Sequence, residues 1–81
     1  MLSYYIGFKN GGDSVYSKKA LEQYIEDHRD LKEMIIDGVW DYTIIKEYEK
    51  SRRFMKAHYE NGKLKLETDK REVMQNGAYG N

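Results

Sequence analysis

Seven residues in one short stretch have the types and spacing that recognise phosphate and unpaired bases: Arg52, Arg53, Phe54, Lys56, His58, Lys63 and Lys65. Lys and Arg bring charge and hydrogen-bond donors to phosphate oxygens, whereas Phe and His offer planes on which a base can stack. The wider segment from Lys46 to Arg71 holds nine Lys or Arg residues against five acids, with Tyr48, Phe54, His58 and Tyr59 interleaved. From Met1 to Ile45 the balance is reversed, at five basic and eight acidic residues. A formal net charge of zero therefore conceals a strong polarity. A concentrated positive field beside exposed aromatic planes suits an anionic partner, RNA or single-stranded nucleic acid foremost, and suits catalysis poorly. The bland alternative is that cations on exposed strands discourage edge-to-edge pairing, with Glu47, Glu49, Glu60, Glu67 and Asp69 partly neutralising them.

A second constellation points to a protein partner instead. Tyr4, Tyr5, Trp40 and Tyr42 are of the types that anchor protein interfaces. On that reading the chain is an inhibitor or adaptor, antitoxin-like or a phage-type accessory protein, acting on a larger enzyme through these aromatics or with the same basic hairpin against an acidic protein surface. Catalytic residues are not expected. No nucleophile, base and orienting acid stand in a recognisable arrangement, and there is no HExxH pair. Gly7 to Ser14 has the glycine spacing of a phosphate-binding loop, but Asp13 stands where that motif requires Lys. A strand-to-helix turn is the better reading there. His28 reads as a partly buried, hydrogen-bonded side chain at the edge of an apolar stripe. Neither a cofactor nor a metal is implied.

Size limits what these residues can be mounted on. Eighty-one residues make one domain, and a single core of this size rarely supplies more than about 3–5 kcal/mol. There is no Cys for a disulfide and only two His, so a second subunit is the expected reinforcement and a homodimer the expected state. The lack of Cys and of an export signal at Met1 to Phe8 points to the cytoplasm. No apolar run approaches the roughly 20 residues that a membrane helix needs. With 35% charged and 14% aromatic residues the chain is expected to fold.

The elements that must position the candidate residues are legible in outline. Leu2, Tyr4, Ile6 and Phe8 alternate with Ser3, Tyr5, Gly7 and Lys9, the period-two pattern of a strand with one buried face. Ser17 is placed to cap a helix, on which Leu21, Tyr24, Ile25, His28, Leu31 and Ile35 form one apolar stripe. Gly38 sits where a left-handed C-cap is wanted. Val39 to Tyr48 is rich in β-branched and aromatic residues and reads as a strand. Beyond it, Asn61-Gly62 makes a two-residue hairpin turn pairing Glu60 with Lys63, Tyr59 with Leu64, His58 with Lys65, Ala57 with Leu66 and Lys56 with Glu67. A competing reading makes residues 43–59 a second helix capped at Asn61-Gly62. The expected fold is α+β, in the order βαβββ, with one helix on a mostly antiparallel sheet. Its alternative is β-α-α-β. The domain spans residues 1–68, and residues 69–81 form a C-terminal tail, docked or flexible.

Overall fold

The computed structural model describes residues 1–69, and the tail expected beyond Asp69 lies outside the described residues. The architecture is α+β: five antiparallel strands with two helices on one face. In chain order the elements are β1 (Leu2–Phe8), β2 (Gly11–Val15), α1 (Lys18–Asp27), α2 (Arg29–Asp37), β3 (Tyr42–Tyr48), β4 (Ser51–Glu60) and β5 (Lys63–Thr68). Across the sheet the order is β2-β1-β3-β4-β5.

The segment 43–59 is strand throughout, apart from the turn between β3 and β4. Two helices are present among the described residues, the number in the second sequence reading, but both precede Gly38. β4 and β5 pair in the register that the Asn61-Gly62 turn dictates, from Glu60↔Lys63 to Lys56↔Glu67. Both turn residues have positive φ, 54° and 77°, the conformation that selects Asn-Gly because other residues pay a steric cost there. The turn from β3 to β4 is less well suited. Glu49 occupies φ 55°, where its Cβ crowds the following carbonyl at a cost of roughly 1–2 kcal/mol. Glu49→Gly is therefore expected to raise stability by about 0.5–1 kcal/mol, after the extra unfolded-chain entropy of glycine is deducted. Urea titration checks it.

Two features depart from the sequence reading. Gly11–Val15 is not a strand-to-helix turn but a strand, pairing with β1 from Phe8↔Gly11 to Tyr4↔Val15. The segment lacks the alternation of a buried strand because it is an edge strand, and nearly all of it is exposed. The helix is also broken, at His28 (φ −117°, ψ 85°). The His28 ring stacks on Tyr24 at 3.8 Å and meets Phe8 edge-on at 5.7 Å. Its Nδ1 lies 2.7 Å from the Tyr24 carbonyl oxygen. A carbonyl only accepts, so Nδ1 carries the proton. Ser17 caps α1 by accepting from the Ala20 N–H at 3.0 Å, and Gly38 ends α2 in the left-handed conformation.

The core lies between the helices and one sheet face. Leu21, Ile25, Leu31 and Ile35 meet Tyr4, Ile6, Tyr42, Ile44, Met55, Ala57 and Leu64. The Tyr42 hydroxyl reaches across to β4, donating to the Ala57 carbonyl (3.3 Å) and accepting from the Ala57 N–H (3.1 Å). It thus satisfies backbone groups beyond the point where the β3–β4 register ends, at Ile44↔Met55. Tyr42→Phe would strand them, at an expected cost of about 1–3 kcal/mol measurable by urea titration.

Burial raises the hydroxyls of Tyr4, Tyr24 and Tyr59 above the ordinary tyrosine value, and a hydrogen bond to Asp13 adds to the effect at Tyr24. A raised value in the folded chain means that folding favours the neutral phenol. The stability gained is complete below the unfolded value, about 10, and is lost as pH rises through the folded one. Cooperative unfolding should accordingly accompany phenolate formation above about pH 10. Phenolate absorbance and circular dichroism recorded together test this, and ionisation of Tyr4, Tyr24 and Tyr59 along with the exposed tyrosines, without loss of fold, would contradict it.

Candidate nucleic-acid interface

Successive strand residues point to opposite faces, and this alternation sorts the candidate residues. Met55, Ala57 and Leu64 belong to the core, so Arg52, Phe54, Lys56 and His58 on β4, and Lys63 and Lys65 on β5, project from the face without helices. Register continues the set sideways, with Phe54 opposite Ile45 on β3 and Ile45 opposite Tyr5 on β1. Tyr5, Ile45 and Phe54 therefore form one row across the three central strands. Ile45 is 8% exposed despite lying on the helix-free face, whereas Tyr5 at its side is 40% exposed.

Glycines set the posture of Tyr5. A Cβ on Gly7 would come within 3.0 Å of Tyr5 Cε2 and Oη, and one on Gly12 within 2.5 Å of Oη. The ring thus lies across both residues, in the space where side chains would stand. In the sequence, Gly7 reads as part of the first strand and Gly12 as part of a turn. Their position two residues after Tyr5 and across the β1–β2 pair marks them instead as the bed of an aromatic plane. Gly12 has a second constraint, since its Cβ would also lie 2.6 Å from the Ile6 carbonyl oxygen. That backbone atom cannot swing aside. Gly12→Ala is expected to destabilise the protein and to lift Tyr5 from the sheet, visible as a shift in the Tyr5 ring resonances.

The electrostatics of this face are milder than the residue count suggests. Arg52 pairs with Glu47 at 3.2 Å and Lys56 with Glu67 at 3.5 Å. Lys56 also lies 4.5 Å from the centre of the Trp40 ring, a cation–π contact that folds Trp40 toward the same region. Among the described strand residues of this face, four cations, Arg52, Lys56, Lys63 and Lys65, stand with three carboxylates, Glu47, Glu60 and Glu67, and the buried Asp69 follows β5 beside Phe54. Lys63 and Lys65 form no ion pair among the described residues, and Lys65 stands opposite the exposed His58. The free positive charge is thus concentrated on β5, at positions opposite His58 and Glu60, four and six residues along the hairpin from Phe54.

The remaining candidates are separated from this group. Arg53 pairs with Lys46, which pairs with the core residue Tyr4, so its side chain belongs to the helix-bearing face. Adjacent in sequence to Arg52, it points the opposite way. The aromatic quartet also divides, because Tyr4 and Tyr42 are each 3% exposed and serve the core, while Tyr5 and Trp40 are accessible. Among the described residues no group of His, Asp or Glu is arranged to hold a metal. No described helix is long and apolar enough to cross a membrane.

Fold and site together define a small α+β protein whose sheet has one face without helices among the described residues. Comparison with protein-family models, with curated proteins and with solved structures finds no match for this chain.

Proposed function

We propose that the chain is a small non-catalytic protein that binds RNA or another single-stranded nucleic acid on the helix-free face of its sheet. The observation that carries this reading is the row Tyr5–Ile45–Phe54, with His58, Lys65 and Lys63 further along the same face toward the Asn61-Gly62 turn. Bases of an unpaired strand stack on Tyr5 and Phe54, while the ammonium groups of β5 meet the phosphates. Arg52 and Lys56 are already held by carboxylates, so their share of the phosphate contacts is small.

This division of labour makes a quantitative statement about salt. Each phosphate contact on a single strand contributes about −0.7 to the slope of log affinity against log salt, so two lysines give a slope of roughly −1.4. Fluorescence anisotropy of a labelled RNA octamer, with a DNA octamer alongside, measures it. Absence of binding at low salt ends the proposal. A slope steeper than about −4 would mean that charge rather than stacking dominates.

A protein partner is favoured by one separate observation. Ile36, Val39 and Trp40 are exposed close together in sequence at the α2–β3 junction, and large aromatics are enriched at the centres of protein interfaces. Trp40→Ala distinguishes the two, since it should leave octamer binding within about threefold while removing an anchor worth about 2 kcal/mol or more from a protein interface.

A further inference from the structure

Four cross-strand pairs in the sheet join two charged residues: Glu47↔Arg52, Lys56↔Glu67, Glu60↔Lys63 and Lys46↔Arg53. The first three oppose unlike charges. The fourth sets two cations directly opposite each other, an arrangement that works against pairing. Neither Lys46 nor Arg53 forms an ion pair among the described residues. Glu47, the nearest acid along β3, is turned to the other face and is engaged by Arg52 at 3.2 Å.

The two cations do not stand on a flat surface. With Leu2, Tyr48 and Ser51 they line a cleft of about 420 Å³ at the end of the helix-bearing face. No carboxylate lines it among the described residues. Tyr48 is 55% exposed there, and on β3 it follows Lys46 by two residues, so both side chains share this face. The cleft thus combines a guanidinium, an ammonium and a hydroxyl donor with an aromatic plane and an apolar wall.

We infer that this cleft binds a small phosphate monoester carrying a planar ring, of the mononucleotide class. Arg53 offers the paired N–H groups that match two phosphate oxygens, Lys46 adds a point charge, and Ser51 supplies a further donor. Tyr48 and Leu2 receive the ring. The anion between Lys46 and Arg53 removes their mutual repulsion, so ligand binding and fold stability are linked. The site lies across the sheet from the stacking row and does not depend on it.

Thermal unfolding of the whole chain tests the inference with AMP, ribose 5-phosphate and inorganic phosphate, each against sodium chloride at equal ionic strength. All three should raise the midpoint, logarithmically with concentration above the dissociation constant and by roughly 5–10 °C at about ten times it, with AMP reaching this at the lowest concentration. Lys46→Met and Arg53→Met should abolish the shifts, and Tyr48→Ala should reduce AMP to the level of ribose 5-phosphate. Lys46→Glu gives a second readout. With no ligand it should raise the midpoint by roughly 1–8 °C by pairing with Arg53, while losing the phosphate response and leaving RNA octamer binding unchanged. Phosphate compounds no better than chloride, or shifts that survive in the Met variants, overturn the site. AMP binding no tighter than ribose 5-phosphate in the parent protein overturns the role of Tyr48.

Discussion

Replacing Tyr5 and Phe54 together by alanine is expected to weaken binding of a single-stranded RNA octamer by about 2–6 kcal/mol, which is roughly 30-fold to 10⁴-fold. The range follows from one base stacked on each ring, at about 1–3 kcal/mol per base. The magnitude is large relative to the electrostatic contribution. Among the described residues the strands of the helix-free face carry at most one more cation than carboxylate, and Arg52 and Lys56 are already paired. Stacking must then supply most of the affinity, which is why the aromatic pair and not the lysines is the most sensitive place to intervene. The conservative variants Tyr5→Phe and Phe54→Tyr keep the planes and should bind within about threefold of the parent, whereas Lys63→Glu with Lys65→Glu should bind about tenfold to a hundredfold more weakly at low salt and converge with the parent at high salt. Anisotropy titrations of folded variants provide the measurement. A double alanine variant that retains its fold and its affinity would show that the row is not the binding surface.

The second large effect is on the fold. Ile44→Ala is expected to leave the chain mostly unfolded at room temperature. Ile44 is 1% exposed at the centre of β3, opposite Ile6 on one side and Met55 on the other. Truncating a buried Ile to Ala costs about 2–5 kcal/mol, because transfer free energy is lost and the cavity collapses only partly. A core of this size supplies about 3–5 kcal/mol in total. The two quantities are nearly equal, so the substitution removes most of the margin. Ile44→Val, expected to cost about 0.5–1.5 kcal/mol, should leave a measurable folded population. Urea titration of both variants decides the matter, and a cooperative transition for Ile44→Ala at the parent midpoint would refute the placement of the core. The octamer-binding prediction is insulated from this one, since Tyr5 and Phe54 lie on the opposite face from Ile44.

How legible these features are in the sequence depends on how local their causes are. The β4–β5 register follows from Asn61-Gly62, two residues that accept positive φ, reinforced by opposite charges at Glu60↔Lys63 and Lys56↔Glu67. The ends of the helical region follow from Ser17 and Gly38, and its buried stripe from the spacing of Leu21, Ile25, Leu31 and Ile35. Each cause acts within a few residues of its effect. The alternation that separates Arg52 from Arg53, and Tyr4 from Tyr5, is equally local. It places each of those neighbours on the opposite face from the other.

Other features have no local cause. Gly11–Val15 is a strand only because β1 offers it an edge, its own residues being poor strand formers. The helix breaks at His28, whose ring packs edge-on against Phe8, twenty residues earlier in the chain, a contact that no helical spacing announces. What the amino-acid sequence alone determined about this protein is its α+β class, the paired β4–β5 hairpin, the capped helical region and the concentration of cations near the hairpin. Only the tertiary structure placed β1 between β2 and β3, and so brought Tyr5 into line with Phe54 through Ile45. That row joins residues more than forty positions apart. Hydrophobic burial of the opposite face holds the strands in order, and no short-range preference specifies it.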